Sequence, residues 1–140
     1  ILYCYNNQLT SFANTQLPNS LEILYCYNNQ LTSLPNLPNS LRKLYCWNNQ
    51  LKSLPELPNL LEILHCYNNK LTYFSNDQLP NSLEKLNCSE NKLTILPELQ
   101  NSLKELNCHD NELINLPERV CRSINQVSSS LFKSVRSQNQ

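Results

Sequence analysis

A motif of leucine, cysteine and asparagine recurs six times along the chain, and this repetition constrains the fold more than any other feature of the sequence. Its cysteines follow one another at intervals of 20 or 22 residues, at positions 4, 26, 46, 66, 88 and 108. A clear copy runs Leu41-x-x-Leu44-x-Cys46-x-x-Asn49 and ends in Leu-Pro-Glu-Leu-Pro at 54–58. Repeats of this length cannot each enclose a core, so they must stack on their neighbours.

The sequence also carries a longer period of 62 residues, equal to three consecutive repeats. Residues 1–56 and 63–118 share 35 identities when they are aligned at this offset. We therefore interpret residues 1–117 as a single solenoid domain of six repeats, built from two cassettes of three repeats each. Because Ile1 lies inside a repeat and the chain contains no methionine, we expect the natural N-terminus to be truncated.

Local alternation within each repeat predicts a short β-strand. In Leu24-x-Cys26 the two residues recur with the period of two that places them on one face of a strand. We expect these side chains to face the interior together with Leu21 and Leu31, and six parallel strands to be centred near the six cysteines. Paired prolines in the Leu-Pro-x-Leu-Pro endings fix φ and remove hydrogen-bond donors, which favours an extended, polyproline-like convex side.

The C-terminal residues 118–140 follow a different pattern. Apolar side chains recur there at intervals of three and four residues, at Val120, Ile124, Val127, Leu131 and Val135. This spacing predicts an amphipathic helix within 120–136 that caps the last coil of the solenoid, followed by a tail. A helix that lies on a membrane surface or contacts a partner is the alternative interpretation.

Charge and hydropathy exclude several classes of partner. Through Pro117 the chain has seven Lys and Arg residues against ten Asp and Glu, and from Glu118 onward it has four against one. Neither balance is strong enough to indicate nucleic acid or an anionic membrane as a partner. No apolar run approaches the roughly 20 residues that are needed to span a bilayer.

The seven cysteines favour buried thiols over disulfides or a metal site. Six of them occupy one inward-facing column, where cysteine packs as a small apolar residue. Zinc sites need closely spaced ligand pairs that this sequence lacks, and in-register parallel strands place the thiols alongside one another rather than in bridging geometry. We expect reduced cysteines, with Cys121 under the C-terminal helix, and a reducing intracellular location that we identify with the cytoplasm.

No catalytic arrangement is predicted. Cys108-His109-Asp110 contains the residue types of a nucleophilic triad, but alternation along a strand points Cys108 inward and His109 outward. The chain contains no glycine with which to form a phosphate-binding loop. We therefore expect a protein without enzymatic activity, without a metal site and without a cofactor.

The same alternation defines which side chains face outward on the concave side of the sheet. The first column of equivalent positions comprises Ile1, Ile23, Lys43, Ile63, Lys85 and Glu105. The second column comprises Tyr3, Tyr25, Tyr45, His65, Asn87 and Asn107. The third column comprises Tyr5, Tyr27, Trp47, Tyr67, Ser89 and His109. The loop column, one residue further on, comprises Asn6, Asn28, Asn48, Asn68, Glu90 and Asp110.

Aromatic residues concentrate in the second and third columns. Seven of the eight Tyr and Trp residues lie there, and Tyr73 is the exception. Aromatic side chains suit exposed strands through cross-strand packing, but a contiguous exposed aromatic strip is unusual for a soluble surface and typical of interfaces. We predict that all twelve residues of these two columns bind a partner, through an aromatic half in repeats one to four and a polar, acidic half in repeats five and six.

The repeated frame resembles the leucine-rich-repeat consensus, with cysteine at the second strand position. The ending Leu54-Pro55-Glu56-Leu57-Pro58 resembles the short 20-residue class found in effectors of bacterial pathogens. The Leu-Pro-Asn-Ser-Leu segments at 17–21 and 79–83 are similar to repeats of giant amoeba-infecting viruses or of amoebae. The resemblance implies a right-handed coil with a parallel concave sheet. It also implies inward-facing asparagines whose amides bond loop backbone groups, at positions 7, 29, 49, 69, 91 and 111.

The resemblance further implies protein binding. Our first hypothesis is a non-catalytic module that binds another protein on its concave aromatic face, in the cytoplasm of a host if the source is a virus or a pathogen. The substrate-recognition arm of a larger enzyme, similar to the ubiquitin-ligase effectors, is a second hypothesis. Carbohydrate binding is a third, because aromatic rows can stack on sugars. Self-association through the N-terminal edge is also expected, because we see no cap above Leu2 and Cys4.

Overall fold

The computed structural model describes residues 1–75 and 79–114, and six short parallel strands dominate this part of the chain. They form one sheet in which the strands follow sequence order, as in a right-handed solenoid. The strands are β1 (Leu2–Tyr3), β2 (Ile23–Tyr25), β3 (Lys43–Tyr45), β4 (Ile63–His65), β5 (Lys85–Asn87) and β6 (Glu105–Asn107).

Equivalent positions of successive repeats lie side by side in the sheet. Leu44, for example, pairs with Leu24 on β2 and with Leu64 on β4. The strands centre on these leucines, two residues before the cysteines on which we predicted them to centre. They end early because the chain turns at the loop column, where Asn28 has a φ of 54°. A displacement of two residues preserves the alternation, so the inward and outward faces are as predicted.

A continuous core of leucine and cysteine lies behind the sheet. Leu21, Leu24, Cys26 and Leu31 are all buried, which confirms their predicted inward orientation, and equivalent residues in the following repeats are buried with them. At the N-terminal edge, Leu2 and Cys4 are only partly buried, because no described residue packs on their other side. The core is therefore a stack in which each repeat supplies one layer.

Inward-facing asparagines join neighbouring repeats through their amides. The Nδ2 of Asn49 donates to the carbonyls of Cys26 and Cys46, each at 3.1 Å, and its Oδ1 accepts from the backbone N–H of Leu31 at 3.0 Å. One side chain thus satisfies polar backbone groups of two repeats. The same pattern recurs at Asn29, Asn69, Asn91 and Asn111. This confirms the role that the repeat consensus implied.

The convex side is extended, and the described residues contain no helix there. A turn returns each repeat to the sheet; in one, the N–H of Leu41 donates to the carbonyl of Pro38 at 3.0 Å. The hydroxyl of Ser40 donates to the backbone carbonyl of Leu21, in the neighbouring coil, at 2.7 Å. These contacts agree with the predicted extended convex side.

The predicted capping helix within 120–136, with Cys121 beneath it, lies outside the described residues. So does the C-terminal boundary of the solenoid domain near residue 117. Within the ranges that are described, no helix is long and apolar enough to cross a membrane.

Candidate functional site

The rings of the second column stack face to face along the solenoid. Tyr3 and Tyr25 lie with their ring centroids 5.1 Å apart and their planes within 3° of parallel. Tyr25 and Tyr45 continue the stack at 4.8 Å and 3°. It ends at His65, whose ring stands almost perpendicular to that of Tyr45, at 5.3 Å and 87°. Strand alternation therefore brings these four predicted site residues together on the concave face.

The rings of the third column form a parallel stack of their own. The centroids of Tyr5 and Tyr27 lie 4.7 Å apart, those of Tyr27 and Trp47 lie 4.0 Å apart, and those of Trp47 and Tyr67 lie 5.3 Å apart. Each pair of planes is within 9° of parallel. Trp47 is thus enclosed by rings on both faces, as is Tyr27, and these two rings form the middle of the column.

The two columns meet at right angles, in a herringbone arrangement. Tyr25 and Tyr27 cross at 81°, and Tyr45 and Trp47 cross at 88°. Strand spacing explains this geometry. Parallel strands lie about 4.8 Å apart, but ring faces touch at about 3.5 Å, so each ring must tilt by roughly 45° to contact the next. Opposite tilts in the two columns produce the perpendicular crossing, with edges against faces.

Stacking covers the ring faces and leaves ring edges and tyrosine hydroxyls at the outer side of the sheet. Among the described residues, the tyrosine hydroxyls of both columns make no hydrogen bond to the protein. Burial in the stack raises the pKa of the Tyr45 and Tyr67 hydroxyls, and for Tyr67 the charge of Glu90 raises it further. These two hydroxyls therefore stay protonated at neutral pH and can donate as well as accept hydrogen bonds.

The loop column contains a second chain of contacts that the sequence did not reveal. Asn28 donates its Nδ2 to the Oδ1 of Asn6 at 2.7 Å, Asn48 donates to Asn28 at 2.7 Å, and Asn68 donates to Asn48 at 2.8 Å. All four residues are exposed and have φ between 50° and 54°. Asparagine tolerates this left-handed conformation better than most residues, which explains why it recurs at the turn.

The polar half of the surface differs from its prediction at one position. Asn87, Asn107 and His109 are half-buried, as their outward orientation allows. Ser89, however, is only 1% exposed, so its predicted availability to a partner is wrong. Its side chain is too short to extend past its neighbours, and its hydroxyl donates instead to the Oδ1 of Asn87 at 2.7 Å.

Charged groups flank the second column at repeats five and six. Lys85 and Glu105 form an ion pair at 2.9 Å across neighbouring strands. Burial lowers the pKa of His65, and the positive charge of Lys85 lowers it further. His65 is therefore neutral at pH 7 and continues the surface as a polar aromatic residue rather than as a cation.

The residue types of a nucleophilic triad are not assembled as one. The Nδ1 of His109 contacts the Oδ2 of Asp110 at 2.7 Å, while Cys108 is buried in the core. The histidine therefore has a carboxylate partner but no contact with the thiol that a base would activate. Within residues 1–75 and 79–114, no group of three or more His, Cys, Asp or Glu side chains could hold a metal ion.

The six repeat cysteines are free thiols, and five of them are fully buried. Burial raises the pKa of Cys66 to about 12 and that of Cys108 to about 11. The pKa of Cys46 lies well above its ordinary value of 9.0, because burial is reinforced by the neighbouring thiols of Cys26 and Cys66. Thiolates, which are the reactive form, are therefore strongly disfavoured in the folded protein.

We expect alkylating reagents to modify Cys4 much faster than Cys46 or Cys66 in the native protein, because Cys4 is partly exposed and the other two are buried. The stability contributed by the buried thiols should be fully present well below pH 9 and should be lost progressively as the pH rises above 9, since the unfolded thiols ionise while the buried ones do not. Peptide mapping after timed labelling, and unfolding curves at several pH values, would measure both effects. Rapid labelling of native Cys46 would contradict the buried ladder.

Comparisons with known proteins agree on one family. The description "Leucine Rich repeats (2 copies)" matches residues 40–81, and "Leucine Rich Repeat" matches residues 82–101. Among solved structures, YopM from Yersinia enterocolitica WA-314 is similar, with a TM-score of 0.79 and 41% identity over 84% of this chain. A Shigella effector leucine-rich-repeat domain has a TM-score of 0.77 and 40% identity over 81%. YopM from Yersinia pestis, a leucine-rich effector protein, has a TM-score of 0.76 and 40% identity over 81%.

The similarity covers only part of those proteins. The chain spans 26% and 32% of the two YopM chains and 50% of the Shigella domain. No curated protein matches the sequence at a significant level.

Proposed function

Because this chain belongs to the leucine-rich-repeat family, we propose that it is a non-catalytic protein-interaction module that binds its partner on the concave face. The binding surface consists of the second and third columns. The observation that carries this proposal is the herringbone of seven aromatic rings, which lies on the open side of the sheet rather than in the core. Large aromatic residues on an exposed surface are typical anchors of protein interfaces.

The chemistry of the surface fits a protein partner. Ring edges provide apolar area, and the adjacent hydroxyls provide donors and acceptors without long flexible side chains. Their mutual stacking fixes the side chains before binding, so little conformational entropy is lost when a partner is bound. A rigid surface of this kind suits a peptide segment or a folded domain with complementary acceptor and apolar groups.

Carbohydrate binding is less well supported by this arrangement. A sugar ring stacks on an aromatic face, but Tyr25, Tyr27 and Trp47 each have both faces covered by neighbouring rings. A recognition arm of a larger enzyme would use the same surface for a protein substrate. The interaction module and the recognition arm would thus both use the concave face, and neither proposal assigns a catalytic role to residues 1–114.

We also propose a reducing, intracellular location, as in the cytoplasm of a host cell. The buried ladder of free thiols supports this proposal, because such thiols persist without oxidation in reducing compartments. We further propose that the protein self-associates through its N-terminal edge, where Leu2 and Cys4 are partly exposed.

A comparative pull-down from cell extract tests the binding proposal. The concave variant carries Tyr25→Ala, Tyr45→Ala and Trp47→Ala. The matched convex variant carries Thr32→Ala, Lys52→Ala and Thr72→Ala at exposed positions. We expect proteins retained by the wild type to be retained by the convex variant and lost from the concave one, at a temperature where all three are folded by circular dichroism. Equal retention by the two variants would contradict a concave binding surface.

A further inference from the structure

Two side-chain arrays of the concave face end at the same repeat. In the third column, Tyr67 has a ring partner on one side only, Trp47 at 5.3 Å, because the next position is Ser89. Within the described residues, no ring contact continues the column toward His109. One face of Tyr67 is therefore the C-terminal end of the ring stack, because the short side chain of Ser89, which donates its hydroxyl to the Oδ1 of Asn87, supplies no ring against it.

The amide chain of the loop column ends beside this ring. Asn68 donates its Nδ2 to Asn48, and the described residues supply no donor to its Oδ1. In the earlier repeats the next asparagine supplies that donor, but the next position here is Glu90, whose carboxylate can only accept hydrogen bonds. Two acceptors, the Asn68 amide oxygen and the Glu90 carboxylate, thus lie on neighbouring repeats without a donor between them.

Glu90 also lacks a cation. It is exposed and forms no ion pair within the described part of the chain, and the nearby carboxylate of Asp110 adds further negative charge. Lys85 is paired with Glu105. Burial raises the pKa of the Tyr67 hydroxyl and the negative charge of Glu90 raises it further, which agrees with the position of Glu90 one repeat along from Tyr67. The place where both arrays end is therefore aromatic on one side and anionic on the other.

We propose that this place binds an arginine side chain of the protein partner. A guanidinium is planar, stacks on aromatic faces and carries five donors in one plane. Against Tyr67 it would occupy the position that a ring holds in earlier repeats, and its edge would donate to the Asn68 Oδ1 and the Glu90 carboxylate. The guanidinium would then continue both arrays. It would take the place of the next ring in the third column and of the missing donor in the loop column.

A lysine would supply the positive charge but no planar group. Its ammonium cannot stack on the Tyr67 ring as a flat surface, and it does not donate several hydrogen bonds in one plane.

The inference rests on the proposed function, because it names the group by which a partner is held on the concave face. It adds a direction: the arginine binds at repeat five, and the remainder of the partner lies over the aromatic half.

Short random peptides selected by phage display against the whole chain provide the probe. From those that lose binding to the Trp47→Ala variant, synthetic peptides are made with each arginine replaced by citrulline, which keeps the shape and removes the charge. We expect one such replacement to weaken binding at least about tenfold. The loss should largely disappear in a Glu90→Gln background and should persist in the control Glu56→Gln, an exposed carboxylate on the convex side.

A second variant keeps the test independent of folding defects. Ser89→Tyr combined with Glu90→Asn gives repeat five the Cys-Tyr-Asn-Asn segment that repeats one, two and four already carry. Circular dichroism checks that it folds. The folded variant should extend both arrays, fill the position, and lower affinity for the arginine peptides at least about tenfold.

The outcomes separate the two proposals. If no selected peptide depends on Trp47, the concave binding surface is wrong, and this inference is wrong with it. If peptides depend on Trp47 but tolerate citrulline and the double variant, the arginine site is wrong and the binding surface stands. Coupling between one arginine and Glu90 supports both.

Discussion

Leu44→Ala should lower the free energy of unfolding by about 2–5 kcal/mol, the usual cost of truncating a buried leucine. Leu44 is fully buried on β3, between Leu24 and Leu64. Because each repeat contacts only its neighbours, the cavity weakens the interfaces on both sides of repeat three. We expect the single unfolding transition to separate into two, as the flanking halves of the array lose their coupling.

Urea unfolding followed by both circular dichroism and Trp47 fluorescence measures this effect, since the two signals coincide only for a single cooperative transition. Leu60→Ala provides the matched control. Leu60 is exposed on the convex side, so the same truncation should change the free energy of unfolding by less than about 0.5 kcal/mol. An unchanged single transition in Leu44→Ala would show that this leucine is not part of a shared core.

Trp47→Ala should weaken partner binding by about 2 kcal/mol or more, which corresponds to roughly thirtyfold in the dissociation constant. The outward position of Trp47 in the sequence pattern predicts that this change costs little folding stability, because the indole would then lie outside the core. The structure revises that expectation. Trp47 stacks on Tyr27 and Tyr67, and each aromatic pair contributes about 0.5–1.5 kcal/mol. The free energy of unfolding should therefore also fall, by about 1–3 kcal/mol.

Trp47→Tyr separates recognition from packing. It installs the residue found at the equivalent positions Tyr27 and Tyr67, so the stack and the folding stability should be largely retained. Binding measured by calorimetry should still fall if the indole is the anchor. Normal binding by a destabilised Trp47→Ala protein would mean that the aromatic columns serve the fold alone.

Much of the architecture follows from residue period and polarity. Alternation around Leu24 and Cys26 predicts the inner face correctly, because a one-residue slip would turn both residues outward and would bury the tyrosines beside them. The same alternation identifies which residues share the outer face. The inward asparagines are also predictable, since the consensus places an amide where turning backbone leaves polar groups without partners.

The arrangement of the outer side chains could not be predicted in the same way. The herringbone depends on the difference between strand spacing and ring thickness, which a list of aromatic residues does not contain. The hydrogen bond between the exposed side chains of Asn28 and Asn48 could not be predicted either, because it depends on the left-handed backbone conformation of both residues. Ser89 lies at an outward position but is buried, because the length of its neighbours, and not its own orientation, decides its exposure.

The exposed amides of the loop column have a common direction. Each asparagine from repeat two to repeat four donates to the one before it, so their dipoles add along the solenoid instead of cancelling. Chains of aligned hydrogen bonds polarise one another and strengthen each member. As in a helix, the summed dipole leaves partial positive charge at its donor end and partial negative charge at its acceptor end. Here the negative end lies at Asn68, where it adds to the field of Glu90 and makes the concave surface electrically asymmetric along its length.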